Sequence, residues 1–217
     1  MDLNRICAAV TQDFAETGAS TPPWPDPHPD RDPAKDEYSR CLDPAKYRIV
    51  GARADAWLRA LDRLGLATVA QADDPGAAWR DEPPRGAPTT QAAWARPHQL
   101  GSIPLLFSFR AFNGVQDNLV TLGAGEPAVE IATIPDCGCD ACDAGSADLL
   151  EVLDDRVLDV VSGQFVHVTT EQGTAQGYRD GWEASGFGGQ HRLIEQVLAD
   201  ARTGRSSHRV IRGARWW

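Results

Sequence analysis

Apolar residues recur along the chain at two spacings, and the switch between them outlines its elements. Leu3, Ile6, Cys7, Val10 and Phe14 follow the helical period, so a helix of about four turns is predicted at the start, with Gly18 as its stop. Cys7 lies on that apolar stripe and reads as a core thiol. Ile49, Ala52, Ala56, Trp57, Ala60, Leu61 and Leu64 predict a second amphipathic helix over 48–64, ended at Gly65. Leu149, Leu150, Leu153, Val157, Val160 and Val161 share one face of a third, with Ser146 as its expected N-cap and Gly163 as its terminator. Leu193, Ile194, Val197, Leu198 and Ala201 mark a fourth over 191–203.

Alternation takes over in the middle of the chain. Leu105, Phe107, Phe109 and Ala111 interleave with Leu106, Ser108, Arg110 and Phe112, and Asn113-Gly114 supplies a hairpin turn tolerant of positive φ. A returning strand over 115–122, another from Ala128 to Ile134, and a further one from Phe165 to Thr169 follow. The expected fold class is α+β: a small antiparallel sheet packed against about four helices, with long Pro-rich loops.

Two stretches have neither period. Residues 21–33 carry six prolines, which forbid helix, so 19–36 is expected as an extended segment wrapped over the surface. Its alternative role is a docking strip anchored by Trp24 or His28. Residues 71–104 are rich in Pro, Gly and Asp and read as a long loop, pinned to the body by Trp79 and Trp94. All fifteen prolines lie at or before Pro135, so the last third is the most regular part. It is still read with the rest as one domain, 1–217, because two or three strands alone seldom form a stable unit.

Composition narrows the function classes. An apolar content of 42% suffices for a real core. A net charge of −10 argues against a general nucleic-acid or anionic-membrane binder, since both need clustered positive charge. Lys35 and Lys46 are the only lysines, and the Arg, Ala, Gly, Asp and Pro bias is that of a GC-rich bacterial genome. No apolar run approaches the roughly 18 residues of a membrane span, and the first residues lack a signal-peptide pattern, so a cytoplasmic location is expected. In that reducing compartment five cysteines read as metal-binding, catalytic or buried rather than as a disulfide framework.

Chemistry concentrates in Cys137-Gly138-Cys139-Asp140-Ala141-Cys142, followed by Asp143. Three thiols at this spacing can face one ion, and the helix that follows adds partial positive charge favouring thiolates. Gly138 is expected to ease the turn by accepting positive φ. Zinc needs a fourth ligand. His167 is the favoured candidate because its strand follows the helix and can return beside the loop; Cys41 is another, and Asp140 and Asp143 offer local oxygens. A closed site would be a structural clip, whereas three thiolates and a water would be a catalytic arrangement. A thiol-redox reading also stands. Strand, Cys139-x-x-Cys142 and helix superficially resemble thioredoxin, but four residues intervene before the helix and no proline follows Pro135.

Elsewhere the signals are weaker. Gly186–Gln190 before His191 matches no phosphate-loop spacing and reads as a turn and helix start; His98 reads as a loop-surface histidine. Residues 202–217 form a basic tail with Arg202, Arg205, Arg209, Arg212, Arg215, Trp216 and Trp217. The tail is expected to fold onto the acidic body or to form an edge strand through Val210 and Ile211; the alternatives are that its Arg and aromatic residues stack on bases or grip phosphates, or that the double tryptophan anchors a partner.

Pro135-Asp136-Cys137-Gly138-Cys139-Asp140-Ala141-Cys142-Asp143, with Leu149-Leu150-Glu151-x-Leu153-Asp154 and Val160-Val161-x-Gly163-x-Phe165, resembles an uncharacterised actinobacterial family of unknown function. Tyr38-Ser39-Arg40, Asp43-Pro44 and Tyr47-Arg48 look like the same pattern. The resemblance implies no activity. It implies an aliphatic residue at position 41, which counts against Cys41 as a ligand. The functional expectation is a cytoplasmic binding or regulatory protein with a structural zinc-type site at Cys137, Cys139, Cys142 and His167. Its partner would be an unspecified protein or small molecule. The alternative is a thiol-redox or metal-dependent enzyme using the same cluster.

Overall fold

The computed structural model describes every residue except 82, 83 and 85. Two helices open the chain, α1 (Leu3–Thr17) and α2 (Arg48–Arg63), and they pack against each other. Asp2 caps α1, its Oδ1 accepting from the Arg5 amide at 2.9 Å. Five strands follow as an antiparallel meander in chain order: β1 (Ala67–Gln71), β2 (Thr89–Pro97), β3 (Leu105–Phe112), β4 (Val115–Ala124) and β5 (Val129–Ile134). Helix α3 (Ser146–Val161) leads to a second antiparallel sheet, ordered β8-β7-β6-β9, from β6 (Val166–Thr169), β7 (Thr174–Gly177), β8 (Trp182–Ser185) and β9 (Arg209–Arg212). Helix α4 (His191–Arg202) covers that sheet. The fold is α+β, as the two periodicities imply. Among the described residues no helix is long and apolar enough to cross a membrane.

Alternation places the core. Phe107 and Phe109 of β3, with Val120 and Leu122 of β4, face Ile49, Trp57 and Leu61 of α2. Full burial of a side chain of this kind is worth about 1.5–3 kcal/mol, so this face dictates the register of the sheet. Leu106 and Trp94 point the other way and pack with Trp79 in a smaller cluster. On the second sheet Val166 and Val168 pack under Ile194 and Leu198 of α4. Phe165, Tyr178, Ile211 and Trp216 join the main core, which thus takes side chains from both sheets.

Several expectations need correcting. The segment 71–104 is not one long loop, because β2 occupies Thr89–Pro97 and pairs with both β1 and β3. Its core is Ala92-Ala93-Trp94-Ala95, and alanine carries no strand signal of its own; burial on both faces makes this a strand. Trp79 and Trp94 do pin the region, as expected. There are two sheets rather than one, since β7 and β8 are too short and polar to declare themselves. The basic tail folds back: β9 pairs with β6 through Val210 and Ile211, and Trp216 is buried, which removes it as a partner anchor.

Candidate metal centre

Strand β5 ends at Ile134, and the chain crosses to α3 through the cysteine loop. Asp136 opens it, its Oδ1 accepting from the Cys137 amide at 2.7 Å. A short 3-10 turn spans Asp140–Cys142, with the Cys142 amide on the Cys139 carbonyl at 3.2 Å. The sulfur atoms of Cys137, Cys139 and Cys142 all lie within 4.8 Å of one another, and Cys137 Sγ is 3.3 Å from Cys139 Sγ. Three sulfurs around a zinc-type ion would sit about 3.8 Å apart, so the loop holds them at nearly the spacing an ion demands. Cys137 and Cys142 are exposed, and Cys139 is half-buried.

Electrostatics separates the three thiols. Burial pushes the Cys139 thiol up, but hydrogen bonds from Cys137, Cys142 and the Cys142 and Ala141 amides outweigh it and hold the group below the ordinary thiol value. Cys142 is pushed up to about 12, first by its hydrogen bond with Cys139 and then by Cys137 and burial. The loop thus favours the thiolate on Cys139 over Cys142, and a bound cation would favour the thiolate at both.

Gly138 serves the loop by its size. Its φ is not in the positive region, contrary to expectation; instead a Cβ there would stand 2.4 Å from Cε1 of Phe112, whose ring fills the space beneath. Ser146 also differs from expectation. The residue before α3 is Gly145, at φ +92°, and Ser146 turns its hydroxyl to Trp24. The Ser146 amide and Oγ both contact the Trp24 carbonyl, at 3.0 and 3.1 Å, and the Trp24 amide donates to Oγ at 3.1 Å.

Two segments from the first fifty residues close over the loop. The Pro-rich strip brings Trp24, whose Nε1 donates to Asp143 at 2.9 and 3.1 Å. Lys46 adds an ion pair to Asp143 at 2.5 Å and lies over the Trp24 and Tyr47 rings, 5.5 and 5.0 Å from their centroids. Burial alone would raise the Asp143 carboxyl, but Lys46, the Trp24 indole and the Gly145 amide hold it below the usual carboxylate range. The segment around Cys41 pairs with the cluster turn: the Asp140 amide donates to the Arg40 carbonyl at 2.8 Å, the Leu42 amide to Asp140 Oδ1 at 3.1 Å and Arg40 Nε to Asp140 Oδ2 at 3.1 Å. The Tyr47 hydroxyl is buried without a hydrogen-bond partner among the described residues. Its pKa is raised by burial and then by Asp143, Cys41, Asp140 and Cys139. Beside Asp143, the strip, Lys46 and Arg48 border a groove of about 760 Å³.

The expected ligand set is only partly assembled. Cys137, Cys139 and Cys142 come together; His167 does not join them. It stands on β6 between β7 and β9, buried, with Nε2 3.1 Å from Thr169 Oγ1 and Arg80 and Arg209 as charged neighbours. The cause is strand alternation: Val166 and Val168 take the α4 side, which turns the ring of His167 to the opposite face. Cys41 lies near Asp140 and Asn113, outside the three-sulfur group. His98 is a surface histidine, as expected, bonded to Thr68 and Gly65. Trp24 and Lys46 were not predicted around the cluster; only contacts across about a hundred residues or more bring them there.

The chain belongs to a family of unknown function, DUF6226, whose model matches residues 10–217. Comparison with curated proteins and with solved structures finds no match.

Proposed function

We propose, for this member of DUF6226, a binding or regulatory role in the cytoplasm, built around a zinc-type ion held by Cys137, Cys139 and Cys142. The observation that carries this reading is the convergence of three sulfurs within 4.8 Å on one surface loop. Thiolates select soft or borderline ions over magnesium or calcium, which want oxygen. The ion would favour the Cys142 thiolate against the hydrogen bonds with Cys139 and Cys137 and the burial that hold this thiol high. It would also fasten the β5–α3 crossing, against which Trp24 and Arg40 are already bonded. The groove beside Asp143 falls in the size range of small-molecule sites, which supports a small-molecule partner.

The test is metal content. Protein purified under reducing conditions is expected to carry close to one metal ion per chain by elemental analysis, and Cys139→Ser to lose it together with thermal stability. Metal-free wild-type protein, with a variant of unchanged stability, would overturn the reading.

A second reading, reversible thiol oxidation, is favoured by the 3.3 Å separation of the Cys137 and Cys139 sulfurs and by the lowered Cys139 thiol. Mass spectrometry of the metal-free protein after mild oxidation tests it: an internal disulfide in the loop supports it, and thiols that stay reduced reject it.

A further inference from the structure

We propose that the ion held by the three cysteines keeps its fourth coordination position open to solvent, and that this position takes a neutral nitrogen donor of imidazole type. The inference rests on the metal reading above and adds what binds there.

The argument is a count of donors. A zinc-type ion takes four ligands, and three sulfurs are in place. Among the described residues no other His, Cys, Asp or Glu joins the group. The nearby carboxylates are already engaged. Asp136 Oδ1 accepts from the Cys137 amide at 2.7 Å. Both oxygens of Asp140 are taken, by the Leu42 amide and by Arg40. Asp143 is buried under Trp24, Lys46 and the Gly145 amide. Swinging Asp140 or Asp143 to the ion would break charge-assisted hydrogen bonds, each worth about 1.5–3 kcal/mol. His167 sits in the second sheet on Thr169 Oγ1. The remaining cysteine of the region, Cys41, has its thiol beside Asn113.

Exposure sets the direction of the fourth position. Cys139 is half-buried on the inner side, where Phe112 packs beneath Gly138. Cys137 and Cys142 are exposed, so the coordination site opposite the loop faces water. This is the arrangement of catalytic rather than closed structural zinc sites, with three protein ligands and one exchangeable partner.

Charge selects the partner. Three thiolates on a divalent ion leave one net negative charge, in a chain whose formal charge is already −10. A further anion would add like charge to that centre, whereas a neutral imidazole or amine nitrogen adds none.

The experiment uses the full-length protein loaded with cobalt(II) and titrated with imidazole, alongside X-ray absorption of the zinc form. The expected absorption shell is three sulfurs at about 2.3 Å and one nitrogen or oxygen at about 2.0–2.1 Å. The cobalt d–d bands should shift saturably, reaching one imidazole per cobalt, while chloride produces a smaller shift. Cys41→Ser and His167→Gln should leave both spectra unchanged. A four-sulfur shell, or a nitrogen shell lost in His167→Gln, would overturn the open site while leaving the metal reading intact. Bound cobalt whose bands do not respond to imidazole would overturn it in the same way. Protein that binds no metal would overturn both.

Discussion

The Trp24 indole N–H donates to both oxygens of Asp143, at 2.9 and 3.1 Å, and so joins two residues 119 positions apart. Asp143 immediately follows the last cysteine of the cluster, and Trp24 sits in the middle of the Pro-rich strip. The bond converts that strip from a covering segment into a wall of the site, with Lys46 completing the charge balance.

Asp143→Asn should therefore destabilise the fold by about 3 kcal/mol, because it leaves Lys46 partly buried without its counter-charge. Trp24→Phe removes the hydrogen bonds to Asp143 and part of the ring that lies against Lys46 and Tyr47, but leaves the Lys46–Asp143 pair, and should cost about 1.5 kcal/mol. Urea midpoints of the two variants check the order. Equal and negligible losses would mean that the strip merely lies on the surface.

Gly138→Ala places a Cβ 2.4 Å from the Phe112 ring and should lower stability by about 1–3 kcal/mol. The loss should be partly recovered in Gly138→Ala combined with Phe112→Leu, which withdraws the ring. A double-mutant cycle with a coupling energy above about 0.5 kcal/mol is the expected result; strict additivity would show that the Phe112 ring is not what position 138 must clear.

Asp154 ties α2 to α3: Arg53 donates to it at 2.9 and 2.6 Å and the Trp57 indole at 2.6 Å. Asp154→Ala strands the largely buried Arg53 guanidinium and should cost about 3 kcal/mol in denaturant unfolding. Asp154→Asn, which keeps an acceptor for Trp57, should cost less.

His167 makes stability depend on pH. Burial, reinforced by Arg80 and Arg209 and opposed by Asp81, holds its imidazole down at about 4, against 6.5 for an unperturbed side chain. Well above pH 6.5 the ring is neutral in both folded and unfolded chains and contributes no pH dependence. As pH falls below 6.5, the unfolded chain takes up a proton that the folded one refuses, so stability is lost down to about pH 4. The loss from this one residue is bounded at roughly 3.5 kcal/mol. Unfolding free energies of wild type and His167→Gln, measured across that window, should diverge in slope, the variant being flatter. Parallel slopes would show that the ring is not buried neutral.

Much of the fold was legible because its signals are local. The four helices declare themselves by side chains three and four residues apart, and the β3–β4 hairpin by Asn113-Gly114 between alternating runs. Strand β2 was not legible: its alanines say little until β1 and β3 pair with it and close both faces. The site divides in the same way. Three cysteines within six residues converge whatever the rest of the chain does, but His167, assigned to them on chain order, is carried off by the pairing of β6 with β7 and β9.

By itself the sequence determined the periodic elements, the α+β class and the three-thiol loop, since each depends on residues close together in the chain. Tertiary structure alone decided that Trp24, Arg40 and Lys46 close over that loop and that His167 stays away. The physical reason is that hydrogen bonds, ion pairs and sheet faces between distant segments are selected by the burial of the whole core, and no local pattern records them.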